Sequence, residues 1–111
     1  MEKFPVEEVY EVMTHIPKGK VVTYGEIAVL VGCPRHSRHV GKAMHGAWQR
    51  GLPCQRVVFA DGSLTPGWSK QADLLRREGV AFKKNGKVDM SKSAWRPLKN
   101  EQAIPDMGLL E

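Results

Sequence analysis

Cys54 is the residue of this sequence whose side chain could most readily do covalent chemistry. The fragment Pro53-Cys54-Gln55-Arg56 stands directly before the apolar run Val57-Val58-Phe59. A thiol attacks carbon as its thiolate, which forms when a cation, a helix N-terminus or a proton relay lowers the pKa. Arg56 is such a cation, so the fragment predicts either a nucleophile or an inert buried thiol. The other cysteine, Cys33, falls at a Gly-Cys-Pro corner and is expected to pack.

The cysteines and histidines do not form a metal-binding or disulfide framework. Two cysteines cannot build a multi-disulfide scaffold, and no Cys/His spacing matches a zinc site. Three histidines, His36, His39 and His45, are expected to face solvent or phosphate. The sequence therefore implies no metal and no cofactor.

The net positive charge of the chain arises from about a third of its length. The net charge is +5, and the stretch from Ile27 to Ala60 contains basic residues but no Asp or Glu. Its basic residues are Arg35, Arg38, Lys42, Arg50 and Arg56. A focused basic patch favours a polyanion as partner, while a merely solvated basic face remains the alternative.

The length of 111 residues allows one domain, which we place at residues 1–98, followed by a loosely held tail at 99–111. No apolar run is long enough to span a bilayer, and the acidic N-terminus is unlike a secretion signal. We expect a cytoplasmic protein with no membrane partner, associated with the nucleoid if the source is bacterial.

The first half of the chain predicts three helices that present the basic residues. Pro5–His15 has an amphipathic period, and Thr23-Tyr24-Gly25-Glu26 has the form of a capping box for a helix through Leu30. A third helix is predicted from about Arg35 to His45, followed by a loop at Gly46–Leu52. Its basic residues Arg35, Arg38 and Lys42 would share one face. Two short helices around a tight turn, the second basic, are typical of a helix-turn-helix.

The second half predicts a strand, a helix and a small hairpin. Val57–Phe59 is apolar and strand-like, Ser69 could cap a helix through Glu78, and Gly79 would end it. Val80–Phe82 and Lys87–Met90 flank Asn85-Gly86, which is a strong hairpin signal. The predicted fold is α/β and mostly α, a single winged helix-turn-helix-like DNA-binding domain with a small β-hairpin wing.

Four fragments in this order resemble a known family. They are Ile16-Pro-Lys-Gly-Lys-Val-Val-Thr-Tyr-Gly-Glu-Ile-Ala, Ser37-Arg38-His39-Val40-Gly41-Lys42-Ala43-Met44, Pro53-Cys54-Gln55-Arg56-Val57-Val58 and Glu78-Gly79. Over about residues 3–96 the chain resembles the DNA-binding, active-site domain of O6-alkylguanine-DNA alkyltransferases (methylated-DNA–protein cysteine methyltransferases) and of their alkyltransferase-like relatives.

The resemblance implies that several residues contact DNA or the flipped base. Tyr24 would crowd a phosphate and drive rotation of the damaged base, and Arg38 would enter the base stack as a finger. From residue type alone, Tyr24 could equally be a half-buried aromatic and Arg38 a phosphate contact. The implied DNA-contacting set is Tyr24, Arg35, Ser37, Arg38, Lys42 and Arg56. The implied lining of the base pocket is Pro53, Val57, Trp48, Gly67 and Trp68.

The catalytic residues implied by the resemblance are Cys54, Gln55 and Glu78. Cys54 aligns with the cysteine that takes the alkyl group from guanine in a single turnover, and Glu78 with the glutamate of its proton relay. Gln55 replaces the relay histidine, and glutamine cannot take up a proton near neutral pH. Ala47 replaces an asparagine that supports the cysteine in many active members. The nucleophile is kept while two of its supports are lost.

The sequence therefore predicts a DNA repair protein that binds duplex DNA through its minor groove and flips O6-alkylguanine. It would either transfer the alkyl group to Cys54, as a methylated-DNA–protein cysteine S-methyltransferase, or flag the lesion without enzymatic activity. A flagging protein would have nucleotide-excision repair proteins as partners, and a monomer is expected. A helix-turn-helix transcription regulator, which would ignore alkylation, is the third reading.

Overall fold

The computed structural model describes residues 4–97, and the tail predicted at 99–111 lies outside them. Within this range the chain is mainly helical, with one pair of two-residue strands. The elements in chain order are α1 (Val6–Thr14), β1 (Val22–Thr23), α2 (Tyr24–Leu30), α3 (Ser37–Gln49), a 3₁₀ turn (Cys54–Arg56), β2 (Val57–Val58), α4 (Lys70–Arg77) and α5 (Met90–Ser93). None of these helices has the length and apolarity that crossing a bilayer needs.

The two strands bring the beginning of α2 beside the Cys54 segment. β1 and β2 pair in parallel, with Val22 opposite Val57 and Thr23 opposite Val58. Tyr24 follows β1 directly, and the turn Cys54–Arg56 directly precedes β2. Parallel pairing therefore places distant parts of the sequence at neighbouring positions. Both strands are buried, as expected for apolar strands covered on two faces.

Helices α1, α2 and α3 pack around the larger apolar core. Val9, Met13, Ile27 and Val40 are fully buried there. A smaller cluster under α4 contains Leu75, and its other buried members are Val21, Val58, Val80 and Val88. The two clusters meet at the strand pair. β2 contributes Val57 to the larger cluster and Val58 to the smaller one, and Val22 of β1 belongs to the larger cluster while the preceding Val21 belongs to the smaller.

The helix-turn-helix is confirmed by the geometry of α2 and α3. Thr23 caps α2 reciprocally, because its Oγ1 accepts from the Glu26 N–H at 3.0 Å while Glu26 Oε1 accepts from the Thr23 N–H at 3.2 Å. Helix α3 starts later than predicted, at Ser37, because a turn closed by His36 N–H to the Cys33 carbonyl precedes it. Arg35 lies in that turn and not on the helix.

Helix α3 also ends later than predicted, since it continues through Gly46 to Gln49. Gly46 serves close packing and does not stop the helix. A Cβ at this position would collide with the hydroxyl of Tyr10, which donates to the Ala43 carbonyl at 2.9 Å. The helix ends at Gln49, and Gly51 follows two residues later with a φ of +75°, which suits glycine. The predicted loop at Gly46–Leu52 is therefore wrong over its first half, and Trp48 lies on the helix.

The hairpin predicted as a wing is present but short. Phe82 and Val88 form a single antiparallel bridge, and the Lys83 N–H donates to the Lys87 carbonyl at 2.8 Å. The second strand cannot extend to Met90 as predicted, because Asp89 caps α5 by accepting from the Ser91 N–H. α4 occupies the predicted place before Gly79, although Ser69 makes no side-chain capping bond.

Candidate functional site

A cavity of about 410 Å³ opens between the beginning of α2, one face of α3 and the loop that precedes α4. Its volume is in the range of pockets that hold small molecules or single nucleobases. The wall contains the predicted site residues Tyr24, Trp48, Cys54 and Trp68. The full lining is Tyr24, Gly41, Met44, His45, Trp48, Cys54, Thr65 and Trp68.

Cys54 faces this cavity as a buried thiol. Its residue is 5% exposed, and its Sγ–H donates to the Met44 carbonyl at 3.4 Å. Burial raises the pKa of the Cys54 thiol to about 11, outweighing a backbone hydrogen bond that lowers it. At neutral pH only about one thiol in 10⁴ would then be ionised. The sulfur of Cys54 therefore borders the cavity in an environment that favours the neutral thiol.

Glu78 is held in a network of hydrogen bonds behind the Cys54 turn. Gln55 Nε2 donates to its Oε2 at 2.9 Å, and the Gly19 N–H lies 3.4 Å from its Oε1. Arg56 donates from Nε to Oε1 at 2.9 Å and from Nη2 to Oε2 at 3.1 Å. Burial alone would raise the pKa of Glu78, but the bonds from Arg56 and Gln55 outweigh it and hold the pKa below its usual value. Glu78 is therefore an ionised carboxylate whose two oxygens are both engaged.

Arg56 is predicted to contact DNA, and in the structure its side chain forms hydrogen bonds within the protein. Besides Glu78 it binds the Ile16 carbonyl, to which Nη1 donates at 2.9 Å. The two side chains of the Arg56–Glu78 pair are 18% and 11% exposed. These bonds use three of the five N–H donors of the guanidinium. Contact of Arg56 with DNA stays a prediction.

Arg38 and Lys42 form a basic face on α3 next to the cavity. Arg38 and Lys42 are one helical turn apart on α3, and both are exposed. A second cavity of about 410 Å³ lies beside Arg38, lined by Tyr24, Gly25, Ser37, Arg38, Gly41, Phe59 and Ala60. Tyr24 lines both cavities, and its ring lies 5.2 Å from that of Phe59. The residue predicted to start base rotation thus stands between the basic face and the Cys54 cavity.

This sequence matches the model of the family described as "6-O-methylguanine DNA methyltransferase, DNA binding domain" over residues 5–80. The chain belongs to this family. It is 39% identical over 102 residues to the DNA base-flipping protein of Vibrio parahaemolyticus, covering 87% of this chain and 100% of that one. It is 36% identical over 100 residues to alkyltransferase-like protein 1 of Schizosaccharomyces pombe, covering 81% and 93%.

Solved structures of family members superpose on the chain. The S. pombe Atl1 structure in complex with damaged DNA containing O6-carboxymethylguanine gives a TM-score of 0.74 at 31% identity, covering 86% of this chain and 100% of that one. The O6-methylguanine methyltransferase of Mycobacterium tuberculosis gives a TM-score of 0.55 at 30% identity, covering 70% and 50%. The resemblance to the alkyltransferase family and to its alkyltransferase-like members is confirmed.

The family pocket predicted from the sequence is only partly the one that forms. Trp48 and Trp68 meet edge to face with ring centroids 5.4 Å apart, and both line the cavity. Pro53 lines a different cavity, and Val57 is fully buried in β2. Gly67, with φ +81°, precedes Trp68 and is not part of the wall.

The sequence analysis missed four cavity residues. Thr65 comes from the loop before α4, while Gly41, Met44 and His45 come from α3. Together with Trp48, the α3 residues recur every three or four positions, which is the spacing of one helix face. That spacing could have identified them had α3 been predicted to its full length. Among residues 4–97 no group of three or more His, Cys, Asp or Glu side chains is placed to hold a metal ion.

Proposed function

We propose that this protein recognises O6-alkylguanine in duplex DNA without repairing it. The basic face of α3 binds the DNA, the damaged base turns out of the stack, and the Cys54 cavity receives it. The bound protein then marks the lesion for other repair proteins. Flipping costs a few kcal/mol, less at a weakened pair, so affinity follows damage and not base sequence.

The observation that carries this proposal is the state of the Cys54 thiol. Alkyl transfer requires a sulfur anion that attacks the alkyl carbon, forming a C–S bond as the bond to guanine O6 breaks. Two features stabilise the neutral thiol of Cys54: its burial, and the hydrogen bond that its Sγ–H donates to the Met44 carbonyl. Gln55 supplies no proton acceptor, and Glu78 is engaged by Arg56 and Gln55. The site has the space for a base and lacks a means of ionising its sulfur.

The similar proteins support the DNA-binding part of the proposal. Two curated relatives are named DNA base-flipping proteins, from V. parahaemolyticus and Escherichia coli. The Atl1 structure carries an O6-alkylated guanine in DNA, as its description states. An exposed cationic face on α3 is a suitable partner for phosphate.

The second candidate function is single-turnover alkyl transfer to Cys54. It is favoured by one observation, that Cys54 itself lines the cavity into which a base would turn. A methylated-DNA–protein cysteine methyltransferase of Methanosarcina acetivorans is 40% identical to this chain over 78 residues. DNA bound in the cavity would have to lower the pKa of the Cys54 thiol for this reaction to proceed.

We also propose the setting in which the protein acts. It binds DNA as a monomer in the cytoplasm, and nucleotide-excision repair proteins take over the flagged lesion. A protein that cannot remove the alkyl group needs a downstream system to do so. The Cys54 cavity has room for one base, so each molecule would engage one lesion at a time.

The test combines a binding measurement with the mass of the intact protein. The protein is incubated with matched duplexes containing guanine or O6-methylguanine, and affinity and mass are recorded on the same samples. We expect tighter binding to the methylated duplex and no mass change in the wild type or in Cys54→Ala. A Cys54-dependent gain of one methyl group, about 14 Da, would establish transfer instead. Equal affinity for both duplexes, with a preference among sequences, would indicate a regulator.

A further inference from the structure

Gln71 is a fully buried polar residue of α4 that neither the sequence analysis nor the proposed function uses. Its amide is completely bonded to backbone. Nε2 donates to the Gln55 carbonyl at 3.1 Å and to the Val57 carbonyl at 3.2 Å, and Oε1 accepts from the Thr65 N–H at 2.8 Å. A buried amide is costly unless its bonds are made, so these bonds fix its position.

The backbone groups that Gln71 joins belong to two walls of the Cys54 cavity. Gln55 lies in the turn that carries Cys54 and Val57 directly follows that turn, while Thr65 and Trp68 belong to the loop before α4. β2 is only two residues long, so regular sheet pairing contributes little to holding this loop. The length of one glutamine side chain therefore sets the separation of the two walls.

The connection continues from Thr65 to Tyr24. Thr65 Oγ1 lies within hydrogen-bond distance of the Tyr24 hydroxyl, at 3.3 Å. A chain of hydrogen bonds thus runs from Tyr24 through Thr65 and Gln71 to the segment around Cys54. Its first member lines both the cavity beside Arg38 and the Cys54 cavity. The same hydrogen bonds therefore connect Tyr24, which is predicted to contact DNA, with the segments that shape the base cavity.

We propose that Gln71 is a positioning residue for lesion recognition. Its side chain holds the Thr65–Trp68 loop at the separation from Cys54 that a flipped alkylated guanine requires, and it links that loop to Tyr24. This inference rests on the proposed function, since it concerns the same cavity. Gln71 does not touch the base, so its removal impairs discrimination and leaves the cationic contacts of α3 in place.

The test replaces Gln71 by methionine, which keeps the side-chain volume and removes the amide. Leu75→Val, in the same helix but with no polar contact, serves as a control for core perturbation. For Gln71→Met we expect the ratio of affinities for O6-methylguanine and normal duplexes to fall about tenfold, with normal-duplex affinity within about twofold of wild type. Leu75→Val keeps the wild-type ratio. An unchanged ratio in a folded Gln71→Met protein overturns the proposal.

Two further measurements keep the proposal testable. If Gln71→Met does not fold, Thr65→Val is used, which breaks the link to Tyr24 at a half-buried position. This variant must lower the ratio of affinities for methylated and normal duplex. A wild-type ratio overturns the inference. Hydrogen exchange of the Thr65 amide in the DNA-free protein should accelerate in Gln71→Met and not in Leu75→Val. Loss of lesion preference in the wild type, with Thr65 still protected by Gln71, would instead refute the proposed function alone.

Discussion

Arg56 binds both carboxylate oxygens of Glu78, with Nε 2.9 Å from Oε1 and Nη2 3.1 Å from Oε2. The paired side chains are largely buried, and Gln55 adds a third bond to the same carboxylate. An alkyl-transfer relay needs this glutamate to orient a proton acceptor beside the cysteine. In this protein both oxygens of Glu78 accept hydrogen bonds from Arg56. Arg56 in turn connects the Cys54 turn to the Ile16 carbonyl.

The first prediction concerns Gln55→His, which restores the relay residue of the family. We expect unchanged affinity for O6-methylguanine duplex and no alkyl gain, because Cys54 stays buried with its hydrogen on Met44 and Glu78 stays bound to Arg56. Intact-protein mass after incubation with the duplex checks this. Ala47→Asn with Gln55→His is the stricter version. A methyl gain by either variant would show that only the base was missing.

The second prediction concerns the contribution of the Arg56–Glu78 pair to the stability of the fold. Arg56→Ala should lower the free energy of unfolding by about 3 kcal/mol at pH 7, since it leaves a buried carboxylate without its cation. The pKa of Glu78 is lowered in the folded state, so the stabilisation is present above its ordinary value of about 4.3 and is lost as pH falls. The cost of Arg56→Ala should therefore shrink in acid.

Denaturant unfolding at pH 7 and pH 3 measures this difference. Arg50→Ala is the matched control, because the Arg50–Glu7 pair is exposed, with side chains 54% and 74% accessible. We expect little change in stability from that substitution. A loss in Arg56→Ala that is the same at both pH values would mean that the charge of Glu78 does not contribute.

The third prediction separates two cations on α3. Arg38→Ala should reduce the preference for alkylated over normal duplex, because a finger acts only after a base has left the stack. Lys42→Ala should weaken both complexes equally and reduce the salt-dependence slope by about 0.9. Titrations of both duplexes at several salt concentrations give both quantities. A preserved preference in Arg38→Ala would reassign that residue to phosphate contact.

The fourth prediction concerns the ring and the hydroxyl of Tyr24. Tyr24→Ala should greatly reduce base unstacking, because the ring supplies the crowding of the phosphate. Tyr24→Phe should have a smaller effect than Tyr24→Ala, of the same size as that of Thr65→Val, since both break the bond between Tyr24 and Thr65. A fluorescent adenine analogue placed at the target position reports unstacking directly. Equal unstacking by wild type and Tyr24→Ala would leave Tyr24 with a packing role.

The fifth prediction tests the packing of α1 on α3. Gly46→Ala should destabilise the fold by about 2 kcal/mol despite the better helix propensity of alanine, because its Cβ collides with the Tyr10 hydroxyl. In a Tyr10→Phe background the same substitution should be neutral or stabilising. Thermal unfolding of the four proteins in this cycle gives the coupling between the two sites. Additive effects would contradict the contact.

The sequence predicted the order of the elements because its local signals are strong. The capping box at Thr23, the stop at Gly79 and the apolar run at Val57 each depend on neighbours in the chain. Gly46 was wrongly predicted to end α3, because the residue that requires a glycine there, Tyr10, lies 36 positions away in sequence. The length of the wing was overestimated because Asp89 starts a helix instead.

The site was predicted less completely for the same physical reason. Cys54, Tyr24 and Trp68 could be named from motif and resemblance, and all three line the cavity. The ion pair of Arg56 and the three hydrogen bonds of Gln71 depend on groups 6 to 40 positions distant, which no local pattern reports. Buried polar side chains are the residues whose roles a single sequence conceals most.

The perpendicular contact between Trp48 and Trp68 gives the protein an optical signal of its own. Trp48 is 56% exposed at the rim of the cavity, and Trp68 forms part of the same wall. The third tryptophan, Trp95, is buried in the core among α1, α2 and α3, where its emission is a constant background. A purine that enters the cavity must approach one indole or the other, so unlabelled protein can report each capture through a change in its fluorescence.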